Sequence, residues 1–221
     1  SMGFIRNLNC GEIVEQLNQV KRNIKAPITN IVYMGMGEPF LNYNNVIKSA
    51  DIFHHNLGFG LSAKRITIST SGIVPKIKKF IKDNIKYKLA VSLNAPTDEQ
   101  REKIMPINRT WPIEDLIRAS QMYSNRKRKN IMFEYVLLEN INDSKEDAIN
   151  LMNLIKGLDS KINIIPYNET DGKYKRPSDI AIDTFIQILL KNQKKYGYRV
   201  LVRWSKGQDI NAGCGQLVVN N

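Results

Sequence analysis

The sequence predicts an α/β fold of parallel strands joined by helices. Short β-branched or apolar runs alternate along the chain with segments of helical periodicity, a rhythm that implies parallel strands and right-handed crossovers. At 221 residues, 42% of them hydrophobic, the chain can bury one sizeable core, so a single domain spanning 1–221 is expected. Polar residues gather where the strands end, as they do when one mouth of a parallel barrel carries the chemistry. A barrel or an open doubly wound sheet follows.

A helical pattern over Gly11–Arg22 comes first, followed by a strand over Asn30–Met34 and a helix over Asn44–His55. The second strand is expected at Arg65–Ser69 with a helix over Val74–Asp83 behind it, and the third at Lys88–Ser92. Helices over Asp98–Lys103 and Ile113–Ser124 precede a strand at Ile131–Leu137. Thr97-x-x-Gln100 has the form of a capping box that starts the first of these helices. A helix at Lys145–Lys156, a strand at Lys161–Ile165, a helix at Ile180–Lys195 and a strand at Arg199–Arg203 complete the series.

Composition narrows the function. The net charge of +12 makes an acidic partner plausible, and nucleic acid is the commonest one. The densest cationic cluster, Arg126-Lys127-Arg128-Lys129, lies between a helix and a strand, where it reads as a solvated loop or as a phosphate contact. No apolar run approaches the ~18 residues a bilayer needs, so no membrane partner is expected. Two cysteines indicate no disulfide framework and fit a reducing, cytoplasmic setting, with an organelle such as a plastid or mitochondrion also compatible. Ser1-Met2 reads as an expression scar rather than a targeting signal.

The candidate site residues fall at strand ends. Gly35-Met36-Gly37-Glu38-Pro39 follows the first strand, where two glycines let the backbone approach a ligand and Glu38 offers a carboxylate to an ammonium group. Ser69 closes the second strand in Ile68-Ser69-Thr70-Ser71-Gly72, and Ser92-Leu93-Asn94 closes the third. Asn168 follows Ile165-Pro166-Tyr167, and Cys214 lies in Gly213-Cys214-Gly215 beyond the last strand. Singly, each has a structural explanation: a cap at Ser69, turns at Asn94 and Asn168, a buried thiol at Cys214. Five such positions at one rim point to a ligand site.

These blocks, together with Ile107-Asn108, Glu134-Tyr135-Val136 and Gly207-Gln208-Asp209-Ile210-Asn211-Ala212-Gly213-Cys214-Gly215-Gln216-Leu217, resemble the radical S-adenosyl-L-methionine enzymes that methylate carbon 2 of adenine in RNA, the RlmN/Cfr group. The resemblance runs from about Gly3 to Leu217. It implies a partial TIM-like (β/α) barrel of the radical SAM type and S-adenosyl-L-methionine as a ligand. Gly37 and Glu38 would hold its amino end, and Ser69, Ser92, Leu93, Asn94 and Asn168 the remainder. The Asn94 position is often a histidine in the family, so a proton-transfer role there is in doubt. Cys214 would be the residue that accepts a methyl group by displacement. In the family, a radical derived from a second cofactor molecule then removes hydrogen from that S-methyl group, and the carbon radical adds to adenine. The implied partners are large-subunit ribosomal RNA, transfer RNA as well in some members, and an electron donor.

One part of the family pattern is absent. The family holds its 4Fe-4S cluster with three cysteines spaced C-x3-C-x2-C, and that motif, with the first barrel strand, is expected to lie upstream of Gly3. Cys10 falls after that point and reads as an ordinary residue at the start of a helix, and His54-His55 suggests no metal site. This stretch alone is therefore expected to be inactive and to bind S-adenosylmethionine weakly. Two other readings remain from the residues themselves: a non-catalytic basic RNA-binding barrel, and a barrel enzyme for a phosphorylated small molecule. Neither needs a thiol between glycines at the rim.

Overall fold

A computed structural model describes residues 4–126, 129–169 and 173–204. Its strands form a six-stranded sheet in the order β1-β2-β3-β4-β5-β6, with helices in the crossovers. The expected alternation is present throughout, with boundaries moved by a residue or two. Among the described residues, no helix is long and apolar enough to cross a membrane. The chain divides into two compact units, Ser1–Ala90 and Val91–Asn221.

The first unit opens with α1, Cys10–Asn23. Asn9 caps it: its Oδ1 accepts from Glu12 N at 2.9 Å while Asn9 N donates to Glu12 Oε2 at 2.8 Å, a reciprocal pair that sequence reading missed. Arg6 also donates to Glu12, and these partners pull the Glu12 carboxyl down to about 2. Cys10 is thus the first residue of a capped helix. β1 is only Ile31–Tyr33, shorter than expected, because Gly35 turns the chain at φ 115°. It pairs in parallel with β2, Ile66–Thr70, in the register Ile31↔Ile66 and Tyr33↔Ile68. All five residues of β2 are buried, although Ile66-Thr67-Ile68-Ser69 alternates apolar with polar side chains, so both faces of this strand are covered. The helix α2, Tyr43–His54, buries Val46, Ala50 and Phe53 on one face, and α3, Val74–Lys82, buries Val74, Ile77 and Phe80. Lys78, Lys79 and Lys82 lie on the exposed face of α3.

The division falls within β3, Lys88–Ser92. The second unit continues with α4, Asp98–Ile104, and α5, Ile113–Ser124. The sheet resumes with β4, Ile131–Leu137, then α6, Lys145–Leu154, β5, Ser160–Pro166, α7, Asp179–Tyr196, and β6, Tyr198–Val202. β4 pairs with β5 and β5 with β6, both in parallel. On β4 the core face is Ile131, Phe133, Tyr135 and Leu137; Glu134 points to the other face and is buried there as well. Ser144 and Asp147 form a second reciprocal cap, at α6. The capping box expected at Thr97 is only half made. Thr97 Oγ1 accepts from Gln100 N, but the Gln100 amide donates to Ile141 O and Asp147 Oδ1. The Gln100 side chain is held by these tertiary acceptors, and its Oε1 accepts from Thr97 Oγ1 rather than from the Thr97 backbone.

Candidate cofactor site

In the first unit the candidate residues meet at Glu38. The chain leaves β1 through Gly35 and Gly37, with φ of 115° and 95°. A side chain at Gly35 would sit 3.0 Å from Gly37 O, so this tight path is reserved for glycine. The turn delivers the Glu38 carboxylate to two places at once. Its Oε1 accepts from Phe40 N at 2.9 Å, capping the 3-10 turn Pro39–Asn42, and its Oε2 accepts from Ser71 N and Ser71 Oγ, both at 2.7 Å. Ser71, which sequence reading quoted without a role, therefore ties the loop after β2 to the loop after β1. Thr70 Oγ1 shapes the same loop by accepting from Gly72 N at 3.1 Å. Ser69 is 4% exposed, and its hydroxyl makes no hydrogen bond among the described residues. A carboxylate offers about four acceptor positions, so Glu38 keeps capacity for an ammonium group beyond its three protein donors.

In the second unit the end of β3 is held from several directions. Leu93 N and Asn94 N both donate to Glu134 O, at 3.0 and 3.3 Å. Leu93 O accepts from Arg101 Nε and Ser92 O from Arg101 Nη2, each at 3.0 Å. Asn94 adopts φ 58°, a left-handed conformation that asparagine tolerates. That twist turns its Oδ1 onto Val136 N at 3.0 Å, and its own carbonyl accepts from Asn142 Nδ2 at 2.6 Å. The Asn94 side chain thus satisfies the β4 backbone at Val136. Ser92 Oγ makes no hydrogen bond among the described residues.

Two further side chains complete this neighbourhood. Asn163 Nδ2 donates to Glu134 Oε2 at 2.7 Å across β4 and β5, and burial pushes the Glu134 carboxyl above its ordinary value. Asn142, fully buried, bridges Asn94 O, Val136 O and Leu138 N. Asn168 is buried just after β5, where Tyr167 N donates to Leu137 O at 3.2 Å. Cys214 lies outside the described residues. Sequence reading singled out Gly37, Glu38, Ser69 and the Ser92–Asn94 segment and missed the bonds that Arg101, Asn142 and the Glu134 carbonyl make to that segment. Those bonds follow no helix or strand period and leave no local pattern.

Comparison with known proteins places this geometry in a family. The profile of the radical SAM superfamily matches residues 3–152. The chain belongs to the radical SAM superfamily. It is 44% identical over 215 residues to a probable dual-specificity RNA methyltransferase RlmN of Petrotoga mobilis, covering 97% of this chain and 61% of that protein. It is 45% identical over 223 residues to the dual-specificity RNA methyltransferase RlmN of Desulfosudis oleivorans, covering 99% of this chain and 58% of that one. The chain therefore spans about three fifths of the length of the curated relatives it matches. A radical SAM methyltransferase from Sphaerobacter thermophilus superposes with a TM-score of 0.89 at 42% identity, over 97% of this chain and 63% of that one. A domain of a pyruvate-formate lyase-activating enzyme from Bacteroides vulgatus, at 16% identity and a TM-score of 0.57, shares the fold alone. The six-strand parallel sheet is accordingly a partial radical SAM barrel.

Membership of the superfamily implies S-adenosylmethionine and a 4Fe-4S cluster as cofactors. The residues described here fit the first: Glu38 retains acceptor capacity, and Ser69 and Ser92 keep hydroxyls that no described residue engages. They do not fit the second. The chain has two cysteines where three are needed, and among the described residues no group of side chains could hold a metal.

Proposed function

We propose that this chain is a radical SAM catalytic domain of an RNA methyltransferase that acts on carbon 2 of adenine in large-subunit ribosomal RNA, and in transfer RNA as a second substrate. The alignment of RNA methyltransferases named dual-specificity over 97–99% of the chain carries this reading. The net charge of +12 favours a polyanionic partner, and Arg126–Lys129 offers it cations. A 4Fe-4S cluster supplies one-electron chemistry when bound and requires an electron donor. The low cysteine content fits the cytoplasm.

S-adenosylmethionine is held through Gly37, Glu38, Ser69, Ser92, Leu93, Asn94 and Asn168. Glu38 accepts from the ligand's ammonium group at the position its protein donors leave open, and Gly37 keeps the backbone clear of it. Ser69 and Ser92 contribute hydroxyls. Leu93 and Asn94 contribute the fixed backbone between the hydroxyls and β4, so Asn94 acts through its conformation and not its amide. Cys214 would offer the thiolate, and S-adenosylmethionine would supply it a methyl group by displacement, the sulfonium leaving with the electron pair as a thioether.

Mass spectrometry of the full-length enzyme tests the reading. One added methylene should appear on the Cys214 peptide and be absent in Cys214→Ala, and that variant should methylate no adenine. RNA methylation retained by Cys214→Ala would overturn it.

A further inference from the structure

We propose that Arg101 is a positioning residue, fixing the pose in which the end of β3 presents Ser92 to S-adenosylmethionine without touching the ligand itself. The inference rests on the cofactor reading above and deepens it. Arg101 comes from α4, whose sequence Asp98-Glu99-Gln100-Arg101-Glu102-Lys103 has the composition of a solvated helix. Its side chain is nevertheless 0% exposed, which for an arginine requires a reason.

The geometry supplies that reason. Nε and Nη2 of one guanidinium lie 3.0 Å from the carbonyl oxygens of two successive residues, Leu93 and Ser92. Only a planar fork can reach both carbonyls from a single side chain. The third nitrogen, Nη1, donates to Asn108 Oδ1 at 2.9 Å, and Asn108 is oriented in turn by donating to Asp98 Oδ1 at 2.7 Å. Asp98 Oδ1 also accepts from Ile113 N at 2.8 Å, so the chain of contacts ends on the backbone of α5. Asp98 thus stands one residue removed from the cation. Burial lowers the Arg101 guanidinium to about 10, which leaves it charged at neutral pH.

What the fork grips matters most. The Ser92 carbonyl shares its peptide unit with Leu93 N–H, and the Leu93 carbonyl shares its own with Asn94 N–H. Both N–H groups donate to Glu134 O. Two consecutive peptide units are therefore held at both ends, a cation on each oxygen and a β4 carbonyl on each hydrogen. Bonds arranged in this way polarise and strengthen one another. The Ser92 hydroxyl stands on this frame and has no hydrogen-bond partner among the described residues. A side chain that fixes a free hydroxyl from behind acts on ligand affinity through geometry.

The test compares wild type, Arg101→Lys and Leu151→Ala in the full-length, cluster-loaded protein, each at a temperature where circular dichroism shows it folded. Leu151 is a fully buried residue of α6 and serves as a control for lost stability. Lysine keeps the charge but cannot span both carbonyls. Equilibrium dialysis against labelled S-adenosylmethionine should show affinity falling about tenfold or more in Arg101→Lys and about twofold or less in Leu151→Ala. Amide hydrogen exchange at Leu93 and Asn94 should accelerate in Arg101→Lys alone. If Arg101→Lys does not fold, Asn108→Ser, which removes the acceptor that aims the guanidinium together with the Asn108 bond to Asp98, should give the same pattern at smaller amplitude. Unchanged exchange at Leu93 and Asn94, or equal loss of affinity in Leu151→Ala, overturns the proposal. Absence of binding by wild type counts against the cofactor reading instead, and the exchange measurement then decides the role of Arg101 by itself.

Discussion

The loop at Glu38 and the end of β3 at Ser92–Asn94 are both candidate ligand segments, yet they are held in opposite ways. Glu38 is half-buried and organises its surroundings with one carboxylate that accepts from Phe40 and Ser71. At Ser92–Asn94 the candidate residues are passive, and fully buried side chains, Arg101 and Asn142, hold them from behind. In the first arrangement one group is both scaffold and proposed ligand contact, so any change to it disturbs both roles. In the second the two roles belong to different residues and can be separated by mutation. Burial sets the size of the response, because water can replace a lost partner at Glu38 but not behind β3.

The largest response should come from Asn142→Ala. It strands Asn94 O, Val136 O and Leu138 N together in a site with no solvent access. A loss of about 3 kcal/mol or more in urea unfolding is expected, since each of these buried groups left unsatisfied is worth ~1–3 kcal/mol. Glu38→Gln should come next, at about 1 kcal/mol, because the amide must turn its NH2 toward one of the donors it replaced while water relieves the mismatch. Its effect on S-adenosylmethionine binding should exceed its effect on stability. If the two variants lost equal stability, burial would not be what distinguishes the two segments.

The smallest effect is a pH slope. Burial raises the Glu134 carboxyl above the ordinary 4.5, so the folded chain holds that proton more tightly than the unfolded one. The stability this group contributes is complete below 4.5 and lost as pH rises through the raised folded value. Glu134→Gln should therefore flatten the dependence of the urea midpoint on pH over that interval. A slope unchanged in the variant would assign it to another group.

The sequence disclosed far more of the first segment than of the second. Gly35, Gly37 and Glu38 announce a strand-to-helix turn because the required backbone angles belong to glycine, a local property. Strand and helix positions were legible for the same reason: apolar periodicity is local, and β2 carried both alternation and β-branched residues. Arg101 was hidden because its neighbours Glu99, Gln100, Glu102 and Lys103 have the composition of a solvent face. Gln100 misled in a related way: its backbone makes half of the expected cap, while its side-chain NH2 donates to Ile141 and Asp147. The bond from Val136 N to Asn94 Oδ1 was equally hidden, because it joins residues 42 positions apart.

The order of the chain adds a temporal dimension to the frame behind β3. Arg101, Glu134, Val136 and Asn142, which grip Ser92–Asn94, all follow it in the sequence. During synthesis from the amino terminus, the end of β3 leaves the ribosome with its carbonyls and amides open to water, and it can acquire its shape only when about fifty more residues have been added. The Glu38 turn needs nothing beyond Ser71. One candidate segment is therefore set early in the life of the nascent chain, and the other waits on residues made some fifty positions later.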